Sequence, residues 1–125
     1  MGAGCIIMRN DKILALVRAD GRYDLPKGHQ DKTETVWECA QRETFEECNL
    51  WFEFDEVRGL IEEEALSLYL VHYKQGTVQV KPNPETGETE HEGYEWVSPF
   101  KFVLQCLPYM IPHIQKYIGV RYASN

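Results

Sequence analysis

Basic residues are scarce in this sequence, and the scarcity limits what the chain can bind through its overall charge. Thirteen Lys and Arg residues stand against twenty Asp and Glu residues, so the 125-residue chain has a formal net charge of -7. A field of that sign repels nucleic acid, anionic membranes and free phosphates, because polyanions are held by clustered cations. A phosphate substrate would therefore need a local cation.

Closely spaced cysteine pairs and long hydrophobic runs are also lacking. Cys5, Cys39, Cys48 and Cys106 include no CxxC pair, so we expect reduced thiols rather than a disulfide framework or a zinc site. The longest apolar runs, such as 66–71, fall far below the roughly 18 residues that cross a bilayer. Since the N-terminus also shows no signal-peptide pattern, the sequence predicts a cytoplasmic protein without membrane contact.

No repeat, linker or low-complexity tract divides the chain, so we expect one domain over residues 1–125. Strands are predicted at 3–8, 13–17, 50–60, 66–73, 77–80 and 94–97, and a long loop at 81–92. Helices are predicted at 35–48, 100–107 and 111–118, with Asn49 and Gly119 ending the first and last. The expected class is α+β, with a sheet, a central helix and a helical C-terminus.

The predicted helix 35–48 carries many carboxylates. Glu43, Glu46 and Glu47 follow at i, i+3 and i+4, which confines them to an arc of about 100°. A solvated face explains them, because exposed like charges at this spacing cost only about 0.2 to 0.5 kcal/mol. A metal site explains them too, because clustered carboxylates suit Mg²⁺ or Mn²⁺. Composition alone leaves both interpretations open.

A second ridge of the same helix looks structural. Glu34, Glu38 and Arg42 follow at steps of four, and an acid that precedes a base by four residues is in the favourable orientation for pairing. We therefore expect an ion pair between Glu38 and Arg42.

The surrounding residues distinguish the two interpretations of the glutamate cluster. From Gly28 to Leu50 the sequence resembles the Nudix box, G-x5-E-x7-R-E-U-x-E-E-x-G-U, in which U is aliphatic. The matching residues are Gly28, Glu34, Arg42, Glu43, Glu46, Glu47 and Leu50. Thr44 stands where an aliphatic residue is usual and Asn49 where glycine is usual, and neither departure removes a metal ligand. The chain is identified by this resemblance as a Nudix hydrolase.

The resemblance implies a fold, a cofactor and roles for the box residues. The implied fold is the Nudix α/β/α sandwich, with a mixed sheet between the box helix and the C-terminal helices. The implied metal ligands are Glu43, Glu46, Glu47 and a backbone carbonyl near Gly28, with Glu46 as the alternative activator of water. Glu34 and Arg42 would brace the loop against the helix. The implied cofactor is Mg²⁺, which Mn²⁺ can replace.

Two further stretches resemble particular Nudix hydrolases. Residues 25–29, LPKGH, resemble the entry to the box in asymmetric dinucleoside tetraphosphate hydrolases, which implies phosphate contacts for Lys27 and His29. Residues 90–96 resemble a stretch whose first acid is an extra metal ligand or general base. Glu90 is the better match for that catalytic role, and Glu92 is the alternative.

Two tyrosines complete the predicted substrate site. The tetraphosphate hydrolases carry a tyrosine about as far beyond the box as Tyr69 lies beyond Leu50, and Tyr94 occupies the aromatic position of the downstream stretch. We expect the two rings to approach from neighbouring strands and to enclose an adenine by stacking.

The resemblance leaves a choice of activities. The first is metal-dependent hydrolysis of a pyrophosphate bond in a nucleoside diphosphate linked to another moiety, with a dinucleoside tetraphosphate as the small-molecule partner. An RNA 5′-pyrophosphohydrolase, which shares the 90–96 pattern, or a nucleoside triphosphate pyrophosphatase is the alternative. A non-catalytic nucleotide-binding module is least favoured, because the box keeps all its glutamates. The sequence does not determine the oligomeric state.

Overall fold

A computed structural model describes residues 1–123 of the chain, so the last two residues of the predicted domain, 124–125, lie outside the described part. The strands are β1 Gly2–Arg9, β2 Lys12–Arg18, β3 Tyr23–Asp24, β4 Lys27–His29, β5 Val57–Glu63, β6 Leu66–His72 and β7 His91–Val97. The helices are α1 Val36–Cys48, α2 Pro99–Gln105 and α3 Ile111–Tyr122, and short 3₁₀ turns lie at Phe54–Glu56 and Pro108–Met110. Within residues 1–123, no helix is long and apolar enough to cross a membrane.

The strands form one mixed sheet. Its order is β3-β2-β1-β6-β5, with β4 paired to β1 and β7 paired to β2. Strands β1 and β6 run parallel, and the other pairs are antiparallel. Strands β6 and β7 are therefore not neighbours, because β1 and β2 lie between them.

Alternating side chains on β1 divide the core into two layers. Cys5 and Ile7 belong to the cluster that packs against α1, whereas Ile6 and Met8 belong to the cluster that includes residues of α2 and α3. All four side chains are buried, so both sheet faces are covered, as a period of two along a central strand requires. The predicted α/β/α sandwich is confirmed.

The ends of α1 follow from its capping residues. Thr35 and Glu38 form a reciprocal capping box, and Asn49 ends the helix at a φ of 69°, the left-handed conformation expected of it. The expected ion pair between Glu38 and Arg42 is wrong. The Glu38 carboxylate instead accepts a 2.8 Å hydrogen bond from the backbone N–H of Thr35.

Three predicted elements differ from the structure. The strand expected at 50–60 begins only at Val57, after the 3₁₀ turn at Phe54–Glu56. The segment 77–80 is not a strand, since its alternation comes from Val78 and Val80, which pack on the α1-side core from a loop. Helix α3 continues past Gly119, because one exposed glycine costs a helix only about 1 kcal/mol.

Candidate functional site

A cavity of about 710 Å³ opens beside β4 and α1. Its lining is mostly polar and comes from the N-terminus, the 27–31 loop, α1, the β5–β6 turn, the 83–90 loop and the α2–α3 connection. The predicted site residues in this lining are Lys27, Gly28, His29, Arg42, Glu43, Glu46, Glu47 and Glu90. Most of the predicted site therefore comes together in one place.

Helix α1 directs three carboxylates toward β4. The side chains of Glu43 and Glu46 are 14% and 29% exposed, so this glutamate cluster is not a solvated face. The strand approaches so closely that a Cβ atom on Gly28 would overlap the Glu43 carboxylate. Only glycine leaves that carboxylate in place, which gives a physical reason for Gly28 at the start of the motif.

Arg42 binds three carboxylates of the site at once. Its guanidinium donates to Glu34 at 3.0 Å, to Glu43 at 2.7 Å and to Glu46 at 3.1 Å. A further hydrogen bond, 3.1 Å long, goes to the backbone carbonyl of His29. The hydrogen bond from Arg42 lowers the pKa of Glu34. Arg42 and Glu34 thus join the 27–34 loop to α1, as the resemblance implies for a bracing pair.

Glu47 is the carboxylate with the least compensated charge. Burial, with the charges of Glu43, Asp24 and Glu90, raises the pKa of Glu47, although the Lys27 ammonium opposes the shift. The backbone N–H of Lys27 donates a 3.4 Å hydrogen bond to Glu47 Oε1. A buried anion among other anions either takes up a proton or binds a cation. Clustered carboxylate oxygens are suitable ligands for a divalent metal.

The loop before β7 adds a further ligand candidate. One ligand atom each of Glu47, Glu90 and His91 lie within 4.8 Å of one another. Glu90 lines the cavity, whereas Glu92 is exposed on β7 and lies outside the lining. The position of Glu90 therefore favours it over Glu92 for the extra acid.

Sequence reasoning missed a buried polar cluster behind the cavity. Asp24 and His91 are 3% and 2% exposed, and Asp24 Oδ2 lies 2.8 Å from His91 Nε2. The other carboxylate oxygen of Asp24 lies 3.1 Å from Lys27 Nζ. Burial alone would raise the pKa of Asp24, but the hydrogen bond from His91 and the charge of Lys27 outweigh it and lower that pKa. Nothing in the sequence pairs positions 24 and 91.

The predicted tyrosine pair is wrong. Tyr69 is 8% exposed, and its ring packs edge-on against Trp37 with the centroids 5.0 Å apart, because β6 directs it into the α1-side core. Tyr94 lies on β7, which strands β1 and β2 separate from β6, and it lies outside the cavity lining. The two rings cannot enclose a base between them.

The structure supplies another aromatic ring at the cavity. Tyr109, in the turn before α3, is 46% exposed and lines the cavity, with the Lys27 ammonium 5.8 Å from its ring centroid. No motif in the C-terminal segment marks this residue as functional.

The same chain matches a known family over most of its length. The family profile described as the NUDIX domain matches residues 1–116. The chain belongs to the NUDIX domain family. Family membership confirms the predicted family and enzyme class, a Nudix hydrolase.

Solved structures share its fold. A C. elegans Ap4A hydrolase in a binary complex is 22% identical, with a TM-score of 0.74 and coverage of 98% of this chain and 99% of that chain. A MutT Nudix hydrolase from Burkholderia pseudomallei is 26% identical, with a TM-score of 0.61 and coverage of 79% and 82%. The E. coli dihydroneopterin triphosphate pyrophosphohydrolase is 16% identical, with a TM-score of 0.68 and coverage of 94% and 93%. These names differ in substrate, so the shared fold does not select one.

Proposed function

We propose that this Nudix hydrolase cleaves a pyrophosphate bond in a nucleoside diphosphate linked to another moiety, with Mg²⁺ as cofactor and Mn²⁺ as its substitute. The observation that carries the proposal is that Glu43, Glu46 and Glu47 line one polar cavity together with Gly28, against which the Glu43 carboxylate packs. These three carboxylates and the Gly28 carbonyl would hold the ion. When bound, the ion supplies positive charge that neutralises the diphosphate and stabilises the leaving phosphate.

The protein's own groups have separate tasks in the proposed reaction. Lys27 and His29 both line the cavity and would bind phosphate oxygens. Glu90, which is exposed to the cavity and outside the Arg42 network, would accept the proton of the attacking water. Glu46 would orient that water, because Arg42 fixes its carboxylate. Arg42 and Glu34 hold the loop that carries His29.

Within this class we infer a dinucleoside tetraphosphate as substrate, cleaved asymmetrically. The inference rests on the LPKGH segment, which carries Lys27 and His29 into the cavity, and on the exposed ring of Tyr109 beside Lys27. Such a ring offers a stacking surface for an adenine, an interaction worth about 1 to 3 kcal/mol per base. Because Tyr69 is buried, Tyr109 takes the role first expected of that residue.

A second candidate is removal of pyrophosphate from RNA 5′ ends, favoured by the 90–96 pattern. The cavity charge argues against it, since Lys27 and Arg42 are the Lys and Arg residues of a lining that carries seven acids. Arg42 is already paired with Glu43 and Glu46 of the lining and with Glu34 outside it. A polyanion needs several free cations. A nucleoside triphosphate pyrophosphatase needs fewer free cations and is the stronger alternative.

The test is a panel of diadenosine tetraphosphate, nucleoside triphosphates and 5′-triphosphorylated RNA with Mg²⁺, with products identified by mass. We expect ATP and AMP from diadenosine tetraphosphate. Two ADP molecules, or rapid turnover of RNA ends beside none of the dinucleotide, would contradict the substrate. Silence across the whole panel with folded protein would favour a binding module.

Tyr109→Ala tests the stacking surface. We expect KM for diadenosine tetraphosphate to rise about tenfold, which corresponds to one stacked base, with kcat little changed. Tyr94→Ala is the matched control, because Tyr94 is similarly exposed, at 44%, but lies outside the cavity. An equal effect of both variants on KM would contradict the assignment.

We also infer a cytoplasmic location. The support is chemical: all four cysteines are free and buried, as suits a reducing compartment.

A further inference from the structure

We propose that Glu47, Glu90 and His91 form a cation site that includes nitrogen and prefers Mn²⁺, Co²⁺ or Zn²⁺ to Mg²⁺. The site rests on the proposed function to the extent that it shares Glu47 and Glu90 with it. The new element is the imidazole of His91, which would make the metal preference of this chain depend on a residue outside the box.

The three side chains lie near the spacing that one ion requires. Their ligand atoms lie within 4.8 Å of one another. Two ligands on opposite sides of a transition metal lie about 4.2 Å apart, since each bond is about 2.1 Å long. Because only one pair of the three can be opposite and tetrahedral neighbours lie about 3.4 Å apart, closing the site requires shifts of up to about 1.4 Å, which an exposed side chain such as Glu90 can make.

A small chamber adjoins the main cavity beside these three side chains. It has a volume of about 40 Å³ and is lined by the box glutamates, Glu90 and His91, which is room for an ion and one or two waters. Lys81 also lines this chamber, but its ammonium lies 3.7 Å from the ring centroid of Phe45. That contact directs its charge to the ring and leaves the carboxylates for another cation.

The arrangement behind His91 is the one found behind metal-binding histidines. Such a histidine almost always gives its second ring nitrogen to a carboxylate, which fixes the tautomer and raises the basicity of the ligand nitrogen. Asp24 Oδ2 holds Nε2 of His91 at 2.8 Å and leaves Nδ1 for a metal. Asp24 is in turn held by Lys27, so the buried carboxylate and imidazole are both oriented.

Imidazole would change which ion binds best. Mg²⁺ demands oxygen ligands, whereas Mn²⁺, Co²⁺ and Zn²⁺ accept nitrogen. Among them, Co²⁺ binds a nitrogen-containing site more tightly than Mn²⁺ does. A chain with oxygen ligands alone would show a weaker preference for these ions.

The test is electron spin echo envelope modulation of the full-length protein loaded with Mn²⁺ and no substrate. We expect ¹⁴N modulation that disappears in His91→Gln and in protein grown with ¹⁵N-histidine. It should persist in His72→Gln, whose side chain is exposed at the end of β6, and in His29→Gln. Absence of modulation in the wild type, or its loss in His29→Gln, would overturn the site.

His91 is buried, so a second route does not depend on the folding of His91→Gln: the labelled wild type and the other two variants identify the ligand by elimination. His113, the remaining histidine, has Nε2 2.9 Å from the Glu63 carbonyl and lies in the core under α3.

Titrations of the folded variants give a second readout. His91→Gln should weaken Mn²⁺ binding about tenfold or more and Mg²⁺ binding less than about twofold. A structural role for His91 would weaken both ions equally and would overturn the proposal. Pyrophosphatase activity with Mg²⁺ alongside a nitrogen-free Mn²⁺ signal would leave the proposed function standing, so the two failures are distinguishable.

Discussion

The cavity has two halves that differ in how their charges are balanced. The outer half consists of Glu34, Arg42, Glu43 and Glu46, and the inner half of Asp24, Lys27, Glu47, Glu90 and His91. In the outer half one guanidinium binds three carboxylates directly. In the inner half Asp24 takes the Lys27 ammonium and the imidazole, and the pKa of Glu47 is raised by burial. A bound cation is therefore expected to stabilise the inner half more than the outer half.

The largest effect that tests this difference is expected from Glu47→Gln. Turnover with saturating Mg²⁺ should fall by about 10³-fold, because a neutral amide cannot hold the ion that supplies charge to the reaction. Steady-state kinetics measure it, and Glu38→Gln is the control, since Glu38 is exposed and serves the helix cap. Near wild-type turnover of Glu47→Gln would remove Glu47 from the site.

The same variant should be more stable than the wild type when metal is absent. Burial and then the Glu43, Asp24 and Glu90 charges raise the pKa of Glu47 above its ordinary 4.5, so the folded chain holds this proton more tightly than the unfolded chain. That stabilisation is complete below pH 4.5 and is lost as pH rises through the folded pKa. Thermal melts in EDTA at pH 8 should give Glu47→Gln the higher Tm, and added Mg²⁺ should stabilise the wild type alone.

The next largest effect concerns the anion of the inner half that is already paired. Asp24→Asn should lower the free energy of unfolding by about 3 kcal/mol, because it leaves Lys27 without its buried partner. Denaturant unfolding measures it. Asp20→Asn is the matched control, since the Asp20 and Arg18 pair is exposed and such pairs contribute about 0 to 1 kcal/mol. Equal effects of the two variants would contradict the contrast between a buried and an exposed partner.

The sequence predicted the outer half better than the inner half for a physical reason. Outer residues lie within one loop and one helix, where spacing fixes which side chains share a face. Asp24 and His91 are 67 positions apart, and only the pairing of β3 and β7 with β2 brings them together.

The same limit explains the aromatic residues. Tyr69 lies in a strand that is buried on both faces, so no alternation of polar and apolar residues marks which side it packs on. The sheet order that separates β6 from β7 is likewise a property of long-range pairing. The box helix and its C-terminal cap at Asn49 were predicted because their signals are local.

A smaller effect is expected when the outer half is displaced without losing a charge. Gly28→Ala should lower turnover about tenfold, because the new methyl group would push the Glu43 carboxylate away from its position. Gly119→Ala is the control: the space beside Gly119 on α3 is open, so activity should be unchanged and stability should rise by about 0.5 to 1 kcal/mol. Unchanged turnover of Gly28→Ala would mean that the position of Glu43 is not critical.

The smallest effect is expected from the side of α1 that faces neither half of the cavity. Thr44 is fully buried, and within the described residues its hydroxyl has no nitrogen or oxygen partner and only the Cys5 thiol as a weak one. Thr44→Val keeps the shape and removes this hydroxyl, so the free energy of unfolding should rise by about 1 kcal/mol, with turnover unchanged. Thr44→Ser keeps the hydroxyl and loses a methyl group, which should lower that free energy by about 1 kcal/mol. A loss of stability in Thr44→Val, measured by denaturant unfolding, would show instead that the hydroxyl is bonded in solution, and this face of α1 would then contain a polar contact.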